Sequence, residues 1–225
     1  SPALGKVNGR PLVFFCGGDG ICYTYDALKP TSQLQQLQKI NNIRKYDCDP
    51  DSPKENVHRF MRNRNKSPSN IKSMPVFHEN RIYITHGGDI WWGKEQCWLK
   101  CVDATNSREI WSYELTKGHC CSTPSVHNGM IFVADCEGYI HCVDAKTGKP
   151  YWTHDTGDEI WASTLVADGK VYIGTRRRNF WVFAAENDKR VISSIKLDSP
   201  INGSPVAANG VLYIATMKKL YAVKQ

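Results

Sequence analysis

Nine cysteines and seven histidines carry most of the reactive chemistry available to this 225-residue chain. Cys97 and Cys101 are spaced like a loose metal-ligand pair, but a structural zinc site needs four donors and no second pair completes one. No Cys-x-x-Cys-His run occurs, so no c-type haem is attached. Cys120 and Cys121 are adjacent, and a hairpin places one of them across from Cys136. Cys120, Cys121 and Cys136 are therefore the disulfide candidates, and an odd total of nine leaves at least one thiol unpaired within the chain. Cys101 and Cys142 fall at one position of a repeated segment, which is the pattern of small core residues. His119 beside Cys120 could serve as a ligand or base, but His58, His78, His86, His127, His141 and His154 are dispersed. No Ser-His-Asp arrangement or nucleophile elbow is evident. Asp19, Asp135 and Glu137 sit in equivalent turns, where a carboxylate steadies the turn. No catalytic residue and no metal ligand follow from these spacings.

Binding chemistry is easier to find. Residues 87–96 form a glycine-rich stretch with Trp91 and Trp92 side by side. Two adjacent tryptophans cannot both enter one sheet, so at least one faces outward, where aromatic residues favour interfaces. The equivalent turn of a later repeat is Thr175-Arg176-Arg177-Arg178-Asn179, so the tryptophans and Arg176, Arg177 and Arg178 are expected on one face. A further basic stretch holds Lys54, Arg59, Arg62, Arg64, Lys66 and Lys72 against Glu55. The net charge of +7 suits a protein partner with an acidic surface. The charges are too scattered to indicate nucleic acid. No run of 18 apolar residues is present, so no membrane-spanning helix is expected. The chain opens at Ser1 without a methionine or a signal peptide, as a processed or truncated start would.

The elements that must hold these residues come in repeats. A Ser/Thr-Pro head leads into a short strand, an Asn-Gly-like turn, an apolar strand, a Gly turn, a strand ending in Asp-Ala, and a tryptophan. The clearest copy runs from Thr123-Pro124 through Asn128-Gly129, Ile131–Ala134, Glu137-Gly138 and Tyr139–Val143, with Trp152 eight residues after Asp144. Asn-Gly between hydrophobic runs is a strong hairpin signal. Trp111 likewise follows Asp103 by eight residues, whereas Ile192 takes that place in the next copy. Five copies start near residues 1, 74, 123, 163 and 204, and the later spacing of about 40 residues matches one propeller blade. The fold expected is all-β: a β-propeller of four-stranded antiparallel blades, buried on both faces by their neighbours.

The fifth copy supplies only three strands, so residues 1–225 are expected to be one propeller domain or the C-terminal part of a seven- or eight-bladed one. Residues 29–72 interrupt the first copy as a basic insertion. Within it, Ser32 to Ile43 shows helical spacing, and Arg44–Asp47 is expected as the blade's outer strand.

The run Asp144-Ala145-Lys146-Thr147-Gly148 to Trp152, with its Ser-Pro heads and Val-Tyr-Ile-Gly strands, resembles the repeat of the pyrroloquinoline-quinone-like propeller family. Asp103 to Trp111 matches with Asn106-Ser107 in place of Thr-Gly. The resemblance covers the chain outside residues 29–72. One branch of that family resembles barrel-assembly lipoproteins of outer membranes and implies a cofactor-free, non-catalytic scaffold in the periplasm or an equivalent exported compartment. The other branch implies a fragment of a quinoprotein alcohol or sugar dehydrogenase holding pyrroloquinoline quinone and calcium. Its carboxylate cluster has no counterpart in this sequence, and Cys120-Cys121 lies at the head of a blade, out of place for its disulfide. The expectation is therefore an assembly factor that binds another protein through Trp91, Trp92, Arg59, Arg62, Arg64 and Arg176–Arg178. A carbohydrate-binding propeller with tryptophan platforms is a third reading.

Overall fold

The computed structural model describes residues 1–27, 41–51, 69–88, 95–116 and 118–224. Among these residues there are nineteen strands and no helix. Four meanders have four strands each. The first contains β1 (Ala3–Val7), β2 (Arg10–Cys16), β3 (Ile21–Asp26) and β4 (Arg44–Asp47). The second contains β5 (Val76–His78), β6 (Arg81–Gly87), β7 (Cys97–Asp103) and β8 (Glu109–Glu114). The third contains β9 (Ser125–His127), β10 (Met130–Ala134), β11 (Tyr139–Asp144) and β12 (Pro150–Asp155). The fourth contains β13 (Leu165–Ala167), β14 (Lys170–Gly174), β15 (Asn179–Ala184) and β16 (Val191–Lys196). The fifth has three strands, β17 (Val206–Ala208), β18 (Val211–Ala215) and β19 (Leu220–Lys224). The innermost strands β1, β5, β9 and β13 lie beside one another in that order, so the sheets stand as the blades of a propeller.

Turn chemistry sets the register. Asn8-Gly9, Asn128-Gly129 and Asn209-Gly210 each put two successive residues at positive φ, from 47° to 81°. Such a turn twists with the strands that flank it. Asp168-Gly169 does the same, and Glu79-Asn80 does it without a glycine. The strand expected inside the insertion is β4, at Arg44–Asp47, paired with β3 from Thr24↔Arg44 to Ile21↔Asp47. The segment with helical spacing falls mainly on residues 28–40, outside the described residues.

The core lies in the seams between blades. Along β10, Ile131 and Val133 pack with Tyr83, Leu99 and Trp111 of the second blade, while Phe132 and Ala134 pack with Val171, Ile173 and Phe183 of the fourth. Side-chain alternation along one strand thus feeds two seams, which is why the strands are apolar on both faces. The repeated tryptophans lock these seams. Trp111 Nε1 donates to the Ala145 carbonyl at 3.2 Å, and its ring lies so close to Gly148 that a Cβ there would fall 2.7 Å from it. Trp152 Nε1 donates to the Glu186 carbonyl at 3.0 Å, and its ring stacks on Phe183 with centroids 5.6 Å apart. Cys101 and Cys142, fully buried, pair directly with these tryptophans across the strands. Ile192, in the tryptophan's place, is 43% exposed.

Two outcomes follow for stability. Trp152→Ala should cost about 3–5 kcal/mol, while Ile192→Ala should stay within about 0.5 kcal/mol, both read from urea unfolding. His154 lies against Trp181 and Phe183, with centroids 4.8 and 5.0 Å away. Burial, with nearby Lys189, holds its imidazole below the ordinary histidine value. The unfolded chain therefore takes up this proton first. The stability His154 contributes is present above pH of about 6.5 and lost as pH falls below it. His154→Phe should flatten the fall of the melting temperature between neutral pH and pH of about 5.

Candidate functional site

Each blade has two ends. The first hairpin and the turn between third and fourth strands form the lower end. The turn between second and third strands and the connection between blades form the upper end. Each connection buries an isoleucine or cysteine in the seam at one equivalent position: Ile71, Cys120, Ile160 or Ile201. The residue after it is exposed at Lys72 and Trp161 and half-buried at Cys121 and Asn202. The connections are tied to the next blade's turn by main-chain bonds, Cys136 N to His119 O at 2.8 Å, Arg176 N to Glu159 O at 2.9 Å and Met217 N to Pro200 O at 2.9 Å.

Side chains reinforce the same junctions. Thr175 Oγ1 donates to buried Asp158, which also accepts from Arg177 N at 2.5 Å. Thr216 Oγ1 donates to Asp198 at 2.9 Å. One blade earlier the roles are exchanged, with Thr116 Oγ1 donating to Asp135. Asp135 also accepts from Tyr139 N at 3.0 Å, the turn role expected of it, and contacts His141 Nε2 at 3.0 Å. His141 and Asp135 are both buried, and Tyr113 OH lies 3.1 Å from His141 Nδ1. This pair has the composition of an acid–base site but no access to a substrate, so it serves the seam. Thr175→Val leaves Asp158 short of a donor and should cost about 1–3 kcal/mol in thermal or urea unfolding.

The basic turn sits on this upper end. Arg176 stacks over the Trp161 ring, with Cζ 3.9 Å from the centroid, and its guanidinium pairs with Glu159. Arg176 is therefore spent on holding Trp161. The Arg177 side chain is 80% exposed, with Nε 3.7 Å from Asp158. Arg178 is exposed and has φ of 82°, where Gly20 and Gly138 stand in the equivalent turns at 77° and 104°. An arginine in this region is strained by about 1–2 kcal/mol.

Trp161, 38% exposed, was not among the residues singled out from sequence. Its signal was there, two residues before the Ser163-Thr164 head, where the other copies carry Lys72, Cys121 and Asn202. Trp91, Trp92, Arg59, Arg62 and Arg64 lie outside the described residues. The strands flanking residues 89–94, β6 and β7, end and begin at the upper end, as β14 and β15 do around the arginines.

The cysteine candidates separate cleanly. Cys121 Sγ lies 3.5 Å from Cys136 Sγ, while Cys120 turns inward and donates to Ala134 O at 3.3 Å. The vicinal side chains diverge rather than facing each other. All nine cysteines are free thiols in this structure. Among the described residues, no group of three or more His, Cys, Asp or Glu could hold a metal ion.

A family profile described as outer membrane protein assembly factor BamB matches residues 95–224. Among solved structures, the chain is similar to BamB from Moraxella catarrhalis, with a TM-score of 0.70 and 12% identity over 97% of this chain and 56% of that one. It is also similar to the computationally designed Ika8 protein, with a TM-score of 0.65 and 8% identity over 98% and 57% of the two chains. A quinohemoprotein alcohol dehydrogenase, ADHIIG from Pseudomonas putida HK5, matches with a TM-score of 0.52 and 17% identity over 64% of this chain and 28% of the other. At these identities the structural likenesses speak for the fold. The chain spans little more than half the length of the first two structures. No curated protein sequence matches it.

Proposed function

The chain belongs to the pyrroloquinoline-quinone-like repeat family described as outer membrane protein assembly factor BamB, and from that premise we propose that it is a non-catalytic scaffold that binds a partner protein during assembly. The observation that carries this reading is the upper end of the third and fourth blades. There an exposed tryptophan is held in place by a stacked arginine, and two further arginines stand in solvent beside it. An aromatic anchor of fixed rotamer loses little entropy on binding, and surrounding cations steer an acidic surface toward it. Arg178 adds weight because it occupies a position where glycine is favoured, and strain of that kind concentrates at functional positions. Trp91 and Trp92 would be further anchors, and Arg59, Arg62 and Arg64 would extend the basic field. Family membership also favours a workplace outside the cytoplasm, in the periplasm or an equivalent compartment, and a ring larger than these five blades. The likeness of fold extends to an alcohol dehydrogenase, and reconstitution with pyrroloquinoline quinone and calcium tests that alternative through a bound chromophore and dye-linked alcohol oxidation.

The decisive experiment separates binding from folding. Arg178→Gly should leave the protein as stable or raise its melting temperature, because glycine relieves the strained turn. The same change, like Trp161→Ala and Arg177→Glu, should lower partner capture by about tenfold or more, the size of a hot-spot loss. Arg108→Glu at the lower end should leave capture unchanged. Capture insensitive to all three upper-end variants, with cross-links mapping to the lower end, would sink this reading.

A further inference from the structure

We propose that Cys121 and Cys136 form a dithiol–disulfide couple at the upper end of the third blade, with Cys121 as the entering thiol and a disulfide of the glutathione or thiol-oxidoreductase class as its oxidant. The couple needs no docked partner, so it stands or falls apart from the scaffold reading.

The backbone arrangement brings the two residues together. β9 and β10 pair as Val126↔Ile131 and Ser125↔Phe132. Continued outward, that register runs through 124 and 133, 123 and 134, and 122 and 135, and sets 121 opposite 136. The bond from Cys136 N to His119 O pins the connection there, and the sulfurs end 3.5 Å apart. A disulfide needs the sulfurs at about 2.05 Å, so small side-chain rotations suffice. Cys120 cannot compete, because its thiol is turned into the seam with 1% exposure and burial pushes it up to about 12.

The two thiols are also unequal in the way exchange requires. Cys121 is partly exposed, whereas Cys136 is 8% exposed. A hydrogen bond from Cys136 holds the Cys121 thiol below its ordinary range, and Lys72, at the equivalent position of the preceding blade, favours the thiolate further. An accessible thiol of lowered pKa beside a resolving one is the arrangement of redox-active cysteines. The Cys121 thiolate attacks one sulfur of the incoming disulfide, a mixed disulfide forms, and one thiolate leaves. Cys136 then loses its proton and attacks the Cys121 sulfur, and the second thiolate leaves. The protein gives up two electrons and two protons, and the incoming disulfide becomes two thiols. Closing the bond also removes the hydrogen that Cys121 donates to Trp161 O at 3.4 Å.

The test uses the full chain without substitutions, equilibrated across a series of reduced-to-oxidised glutathione ratios, trapped with an alkylating agent and mapped by mass spectrometry. The expected result is one two-electron transition that links Cys121 to Cys136, while Cys120 is alkylated at every ratio after denaturation. Mapping peptide by peptide separates this link from Cys16 and Cys22, which also face each other across β2 and β3. Cys136→Ser should collect glutathione on Cys121 as a mixed disulfide, and Cys120→Ser should leave the transition unmoved. Far-ultraviolet circular dichroism checks that the variants fold. A link that involves Cys120, or Cys121 and Cys136 both alkylated in oxidised glutathione, would overturn the proposal.

Discussion

A four-stranded sheet with two apolar faces cannot be stable alone, and in the second and third blades the tryptophan on the outer strand joins the sheet to the next, a place taken by Tyr46 in the first blade. Trp152 does this in two ways. Its ring packs against Phe132 in its own blade and stacks on Phe183 in the next, and its indole N–H satisfies a main-chain carbonyl of that next blade. The hydrogen bond fixes the angle of the ring, and the ring fixes the spacing of the sheets. Trp111 repeats the arrangement one seam earlier against Ala145 and Gly148. The seam between the fourth and fifth blades has no aromatic residue at that place and is thin, with a buried cluster of Phe180, Ile201 and Ile214. Ile195, Leu220 and Val223 are left well exposed there and on the last blade.

The polar junctions of the upper end do a different job. A buried carboxylate is tolerated only when its hydrogen bonds are made. Buried Asp158 and Asp135, and half-buried Asp198, each take a threonine hydroxyl from across a junction, so connection and turn must meet in one geometry. The exchange of roles between Thr116–Asp135 and Asp158–Thr175 keeps the bond while swapping which blade supplies the acid. Packing sets how far apart the blades stand, and these bonds set how the upper-end segments sit on them.

Much of this was legible in the sequence. The Asn-Gly pairs fixed the hairpins, the Asp-to-Trp spacing fixed the third and fourth strands, and Arg44–Asp47 was recognisable as an outer strand despite the interruptions around it. Those features are local, with a period that repeats. The aim of individual side chains was not legible. That Cys121 and not Cys120 faces Cys136, that Arg176 is tied to Glu159 and Trp161, and that Asp135 joins two blades all depend on a connection meeting the next blade's turn. Residue types at that junction show what could bond, but the twist of one blade against another decides which do.

The division between the two ends also explains where variation is allowed. At the lower end the hairpin glycines and the seam tryptophans are committed. Turn residues must take positive φ, and Gly148 must lack a side chain because Trp111 occupies the space. A substitution at those positions breaks a hairpin or unseats a tryptophan. At the upper end, each connection commits an apolar residue to the seam, and the residue after it stays outside the buried core. Lysine, cysteine, tryptophan and asparagine occupy that outer position in four successive blades, against three isoleucines and a cysteine at the buried one. Chemistry can therefore change at that one position while the buried Thr175–Asp158 and Thr116–Asp135 pairs beside it stay fixed. The arginine run, the exposed tryptophan and the thiol pair all lie there, on the end of a rigid stack whose stability is held elsewhere.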